Sequence, residues 1–201
     1  MTNSQQIVLV RHGEVANPHH VVYADLDGFS LSSRGVRQAE VAAERLAAAP
    51  VELVVSSPLT RATETAAAIA RPHGCAVVVD ERLTEWRLSS RWAGVRWEEL
   101  PDRFPGELEA YLEHPHDLSF TQESIAAVAV RMRAAVADRS AQRQCVVFVS
   151  HQDPVQAARL ALTGRSLSAL PHGKPGHAAV ITLTNTRARW SEQGLWEPPQ
   201  E

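Results

Sequence analysis

Four apolar residues, Ile7, Val8, Leu9 and Val10, run straight into Arg11-His12-Gly13-Glu14. A short, mostly β-branched run bounded by polar residues reads as a buried strand. Its carboxyl end brings Arg11 and His12 to the edge where open α/β sheets build ligand sites. Gly13 is expected to let the backbone turn there, and the polar residues 1–5 ahead of the run to fray. The same reading gives strands at 53–55, 76–79 and 146–149. Helices are predicted over 34–49, capped by Ser32-Ser33 and ended by Pro50, and from Ser57-Pro58 to about 71. Two more are predicted over 122–140, and from Pro154 to about 163 with Gly164 closing it. Ser57 is expected to be an N-cap with Pro58 at the first helical position. Alternating apolar residues over 178–184, then 187–191, read as a terminal hairpin.

Between these elements lie two irregular stretches. Residues 16–28 are long for a strand-to-helix loop, and long loops at such an edge are often functional. Residues 87–120 hold Trp92, Trp97, Phe104 and Tyr111 among prolines and glycines. Two readings stand: a cap of short helices and loops over the site, or an insertion packing its own aromatics. The order of elements predicts an α/β fold, a three-layer α/β/α sandwich. Its central sheet is mostly parallel, with an antiparallel edge strand possible.

The 201 residues are most simply one domain, 1–201, large enough for a real core. A net charge of −3 gives no reason to expect a nucleic-acid or anionic-membrane partner. No apolar run is long enough for a membrane span or a signal segment. Cys75 and Cys145 are expected to be reduced, buried thiols of a cytoplasmic protein. The pairs His19-His20, His114 with His116, and His172 with His177 lack a supporting cysteine or carboxylate pattern, so no metal and no cofactor are expected. Lys174 beside His172 could touch a substrate anion.

Three strand ends thus deliver Arg11-His12, Ser56-Ser57 with Arg61 one turn on, and Ser150-His151 to one edge. Two guanidiniums, two imidazoles and helix amino-termini converging on one point make an anion site, and the planar arginine fork suits phosphate. Held that way, a phosphoryl group has its charge neutralised, and a neutral imidazole can attack it.

These residues resemble the histidine phosphatase superfamily, which includes cofactor-dependent phosphoglycerate mutases. Arg11-His12-Gly13 is similar to its Arg-His-Gly signature. Leu31-Ser32-Ser33-Arg34-Gly35-Val36-Arg37-Gln38-Ala39 is similar to its first helix entry, and the stretch from Ser56 through Arg61 to Ala66 to its second signature. Leu83-Thr84-Glu85, Trp92-Ala93-Gly94, Glu123-Ser124 and Ser150-His151 follow in the family's order.

The resemblance implies that His12 is the nucleophile and becomes phosphohistidine. Arg11, Arg61 and His151 would bind the transferring group, and Asn17 would add a phosphate contact. Glu85 would be the general acid and then the base, with Glu81 and Glu98 as its rivals; Glu14 reads as structural. The partner implied is a small-molecule phosphate ester, and a homo-oligomer is possible. Trp86, Trp92 and Trp97 point to a partly apolar or planar leaving group.

Three features depart from the family. Gln152-Asp153 stand where a glycine usually follows the second histidine, and could narrow the pocket or orient His151. Trp-Glu-Gly is Trp-Ala-Gly here. The mutases' Glu-Arg-x-Tyr-Gly is replaced by Trp86-Arg87-Leu88-Ser89-Ser90, which favours hydrolysis over mutase activity. The reading is therefore a metal-independent phosphomonoesterase. The alternatives are a mutase-like phosphotransferase and a phospho-ligand binding protein with little turnover.

Overall fold

The computed structural model describes residues 5–186 and 189–199, together with the backbone but not the side chain of Ser89. Six strands form one sheet: β1 (Gln5–Arg11), β2 (Leu53–Ser56), β3 (Val77–Val79), β4 (Cys145–Ser150), β5 (Val180–Thr186) and β6 (Arg189–Trp196), in the order β3-β2-β4-β1-β5-β6. The pairs β3·β2, β2·β4 and β4·β1 are parallel. The pairs β1·β5 and β5·β6 are antiparallel, so one hairpin closes an otherwise parallel sheet. The register places Arg11 opposite Ser150, so the residues that carry His12 and His151 leave adjacent strands side by side.

Helices cover both faces, because the central strands are apolar on both sides. Val8, Val10, Val54, Val147 and Val149 pack against α1 (Ser33–Leu46) and α2 (Thr60–Ala70) through Ala42, Leu46, Ala62 and Ile69. Ile7, Leu9, Val55 and Phe148 pack on the other side against α5 (Ile125–Ser140) and α6 (Gln152–Leu162). Between β3 and α5 lie two short helices, α3 (Leu100–Arg103) and α4 (Glu107–Glu113), with 3₁₀ turns at Ser89–Trp92 and Trp97–Glu99. Among the described residues no helix is long and apolar enough to cross a membrane.

Several local expectations are corrected. Helix α2 starts at Thr60 and not at Pro58, because Leu59 is extended; the Ser57 hydroxyl accepts from the Leu59 N–H at 3.4 Å and also lies against His151. Its first turn is capped from outside: Asp27 of the 16–28 loop accepts from both the backbone N–H and the hydroxyl of Thr60, at 3.0 and 2.6 Å. Gly13 is required for space and not for a left-handed turn. Its φ is not positive, and a Cβ there would lie 2.5 Å from the Gly35 carbonyl oxygen. Gly35 is tighter still, since its Cβ would meet the Glu14 carbonyl oxygen at 2.0 Å. Cys145 is buried but Cys75 only partly so; both are free thiols. Helix α6 begins at Gln152, two residues before Pro154. Strand β6 continues to Trp196, and the expected strand start at Arg187 lies outside the described residues, as do residues 1–4.

Candidate active site

The loop after β1 carries His12, which is 1% exposed. Its Nδ1 lies 2.7 Å from the Gly13 carbonyl oxygen. A carbonyl only accepts, so Nδ1 carries the ring proton and Nε2 keeps its lone pair. Burial, followed by the charges of Arg11 and Arg61, holds the His12 pKa well below its usual value, so the ring is neutral.

The His151 ring centroid is 5.1 Å from that of His12. His151 is the residue ahead of α6, and its Nε2 lies 2.8 Å from the Ser57 hydroxyl. Burial, then Arg61, also hold His151 neutral. Its Nδ1 is buried without a hydrogen-bond partner and faces Oε2 of Glu85 at 3.9 Å.

The two guanidiniums are anchored by separate sets of partners. Arg11 donates to the Pro175 carbonyl at 3.0 Å, and its other terminal nitrogen lies 2.9 Å from Nε2 of His177. Arg61 donates to the carbonyls of Ala24 and Leu26 and stacks 4.8 Å from the Tyr23 ring centre. In each, Nε is buried and unpartnered. Each has five N–H groups, so donors remain after these anchoring bonds. Burial pulls both pKa values down, a desolvation cost that a bound anion would offset.

Glu85 follows a 3₁₀ turn at Glu81–Leu83. Its Oε1 accepts from the Trp86 backbone N–H at 2.7 Å. Burial, then the charge of Asp153, raise its pKa to about 7 against the pull of that hydrogen bond and of both arginines. Its backbone is pinned by Arg131 of α5, which donates to the carbonyls of Arg82, Thr84 and Glu85 and pairs with Glu123 at 2.7 Å. The rival carboxylates Glu81 and Glu98 are exposed. Glu14 accepts from Ser32 and pairs with Arg34, as a structural residue would.

A cavity of about 120 Å³ opens beside His12, Arg11 and Glu85. Trp86, Trp92 and Trp97 line it, and Trp86 and Trp92 also belong to the main core cluster. The 87–120 segment is therefore both cap and self-packed insertion. It is fastened to the core by Tyr111 of α4, whose hydroxyl donates to Asp153 at 2.8 Å and accepts from Lys174 at 2.8 Å; Lys174 also pairs with Asp153 at 2.7 Å. Asp153 thus binds the cap and not His151, and the carboxylate facing His151 is Glu85.

The structure brings together His12, Arg11, Arg61, His151 and Glu85. The Asn17 amide donates to the Val21 carbonyl and accepts from the Val21 N–H, at 2.8 and 3.2 Å, closing its own loop. Sequence reasoning missed Tyr23 and Arg131, and named Tyr111 only as an aromatic of the 87–120 stretch. His177 drew notice only as a possible ligand. Among the described residues no three His, Cys, Asp or Glu side chains are grouped as a metal site requires.

A sequence model of the histidine phosphatase superfamily (branch 1) matches residues 7–197. The chain is similar to phosphoserine phosphatase 1 of Hydrogenobacter thermophilus, 34% identical over 167 residues covering 81% of this chain and 78% of that one. It is also similar to the glucosyl-3-phosphoglycerate phosphatase of Mycolicibacterium vanbaalenii, 32% identical over 196 residues covering 92% and 86%. A solved mycobacterial glucosyl-3-phosphoglycerate phosphatase in complex with VO3 matches with a TM-score of 0.86 at 31% identity, covering 97% of this chain and 100% of that one.

Proposed function

The chain belongs to branch 1 of the histidine phosphatase superfamily and is a phosphatase of that type; from that premise we propose that it hydrolyses small phosphate monoesters without a metal, through a phosphohistidine on His12. The observation that carries this reading is the state of the His12 ring. It is neutral, its Nδ1 proton is held by a carbonyl, and its Nε2 lone pair is left for phosphorus.

In the first step the Nε2 pair forms a bond to phosphorus and the bond to the ester oxygen breaks. Arg11, Arg61 and His151 hold the phosphoryl oxygens, and their fixed donors stabilise its charge. The departing oxygen takes the proton of Glu85 and leaves as an alcohol. In the second step the Glu85 carboxylate removes a proton from water as the water oxygen attacks phosphorus. The nitrogen–phosphorus bond then breaks, phosphate leaves, and Glu85 is protonated again. A carboxyl with a pKa of about 7 serves both steps near neutrality. Asn17 acts in this reading by shaping the loop that carries Tyr23.

Hydrolysis of p-nitrophenyl phosphate with EDTA present, wild type beside His12→Ala, tests the proposal. Turnover survives EDTA and falls by several orders of magnitude in the variant. Near-wild-type turnover in His12→Ala overturns the phosphohistidine, and loss of wild-type turnover in EDTA overturns metal independence.

A further inference from the structure

The cavity beside His12 divides into two halves of unlike chemistry. One holds Arg11 beside His12. The other is walled by Val22, Leu88, Trp86, Trp92 and Trp97, with Asp153 as its charged side chain beyond Glu85. Lys174 pairs with that Asp153, so its charge is already matched. Its ammonium sits 2.7 Å from Asp153 and 2.8 Å from the Tyr111 hydroxyl, 4.4 Å from the centre of the same ring. Arg11 cannot turn outward without leaving Pro175 and His177. Among the described residues that line the cavity, Arg11 is the only cation.

We infer that the leaving group this pocket accepts is an uncharged, aromatic or apolar alcohol, and that Asp153 acts as a specificity determinant against leaving groups that carry a carboxylate. The inference rests on the hydrolytic reading above and deepens it. A second anion in this half would face Asp153 across a low-dielectric space, or would have to take Lys174 away from it. Either route leaves a buried charge without its partner. An aromatic alcohol asks nothing of that pair and gains contact with three tryptophan rings.

Phenyl phosphate and 4-carboxyphenyl phosphate form the matched test, since they share a phenolic ester and differ by one carboxylate. The carboxylated phenolate is the slightly better leaving group, so chemistry alone would favour it. The expected result is a kcat/KM for phenyl phosphate about tenfold higher or more, carried mainly by KM. In Asp153→Asn, Lys174 is released to pair with the substrate carboxylate, and the preference shrinks by about threefold or more.

A wild-type preference below about threefold, or one for the carboxylated ester, overturns the inference while leaving hydrolysis intact. An unchanged preference in Asp153→Asn removes Asp153 as its source and overturns that assignment. Failure of the wild type on both aryl esters while it hydrolyses an alkyl phosphate overturns the inference, and failure on all three overturns the hydrolytic reading itself.

Discussion

Oε2 of Glu85 lies 3.9 Å from Nδ1 of His151, a buried nitrogen that carries no hydrogen bond. Glu85 and His12 therefore both neighbour one imidazole, His151, and that imidazole is neutral.

The first prediction concerns pH. In the proposed mechanism ester cleavage needs Glu85 protonated, and its pKa is raised to about 7. For poor leaving groups kcat/KM should hold below that value and fall as pH rises through it. Protonation of His12 would end activity on the acid side, but its pKa is held well below 6.5, so that limb lies lower. Glu85→Gln should remove the alkaline limb and slow alkyl phosphates about 10²-fold or more, with a smaller loss on p-nitrophenyl phosphate. Rates against pH for one ester of each kind check this; equal losses on both count against the acid role.

A second prediction concerns His177, whose Nε2 lies 2.9 Å from Arg11. Burial and then Arg11 push the His177 pKa down to about 3, so its ring is neutral and accepts from the guanidinium. It acts by holding Arg11 in place. His177→Ala should lower kcat/KM about tenfold, mostly through KM, because about one charge-assisted hydrogen bond is lost. His177→Asn keeps an acceptor and should recover part of the loss. The pH profile between 5 and 8 should keep its shape in both variants, since the group does not titrate there. A changed profile would mean that His177 exchanges protons during turnover.

A third prediction concerns the backbone contact beside His12. Gly35→Ala would place a Cβ 2.0 Å from the Glu14 carbonyl oxygen, where only backbone could yield. It should cost about 3 kcal/mol or more in denaturant unfolding. Activity should fall with it, because Gly13 beside His12 packs on the same spot. Gly194→Ala meets nothing within 4 Å and should cost less than about 1 kcal/mol. Equal costs at the two positions would refute the steric account.

Much of this architecture can be read from the chain, for a physical reason. Strands covered on both faces lose their alternation, so β1 and β4 show as unbroken apolar runs that end in the residues they deliver. That is why Arg11-His12 and Ser150-His151 stood out. Glu85 came only from resemblance, because it follows a single 3₁₀ turn with no period to mark it. Tyr111, Asp153 and Lys174 meet from a cap helix, the start of α6 and the 171–177 loop, and nothing local announces such a meeting. The role of Gly13 was misread because glycine serves both for unusual φ angles and for close approach. Only the neighbouring backbone tells which.

The strand order has a consequence for how the protein is made. Strand β1 lies between β4 and β5, both later in the chain than every residue that carries Arg61, Glu85 or the cap. A nascent chain that has not yet reached Cys145–Ser150 has exposed the strand that leads to His12 with neither of its partners in the finished sheet, because β2 is not one of them. The parallel centre must then close over long loops, which is slow and leaves apolar edges open. Assembly of the pocket during synthesis is therefore a late event, and the interval before β4 emerges is when a holdase chaperone has most to shield.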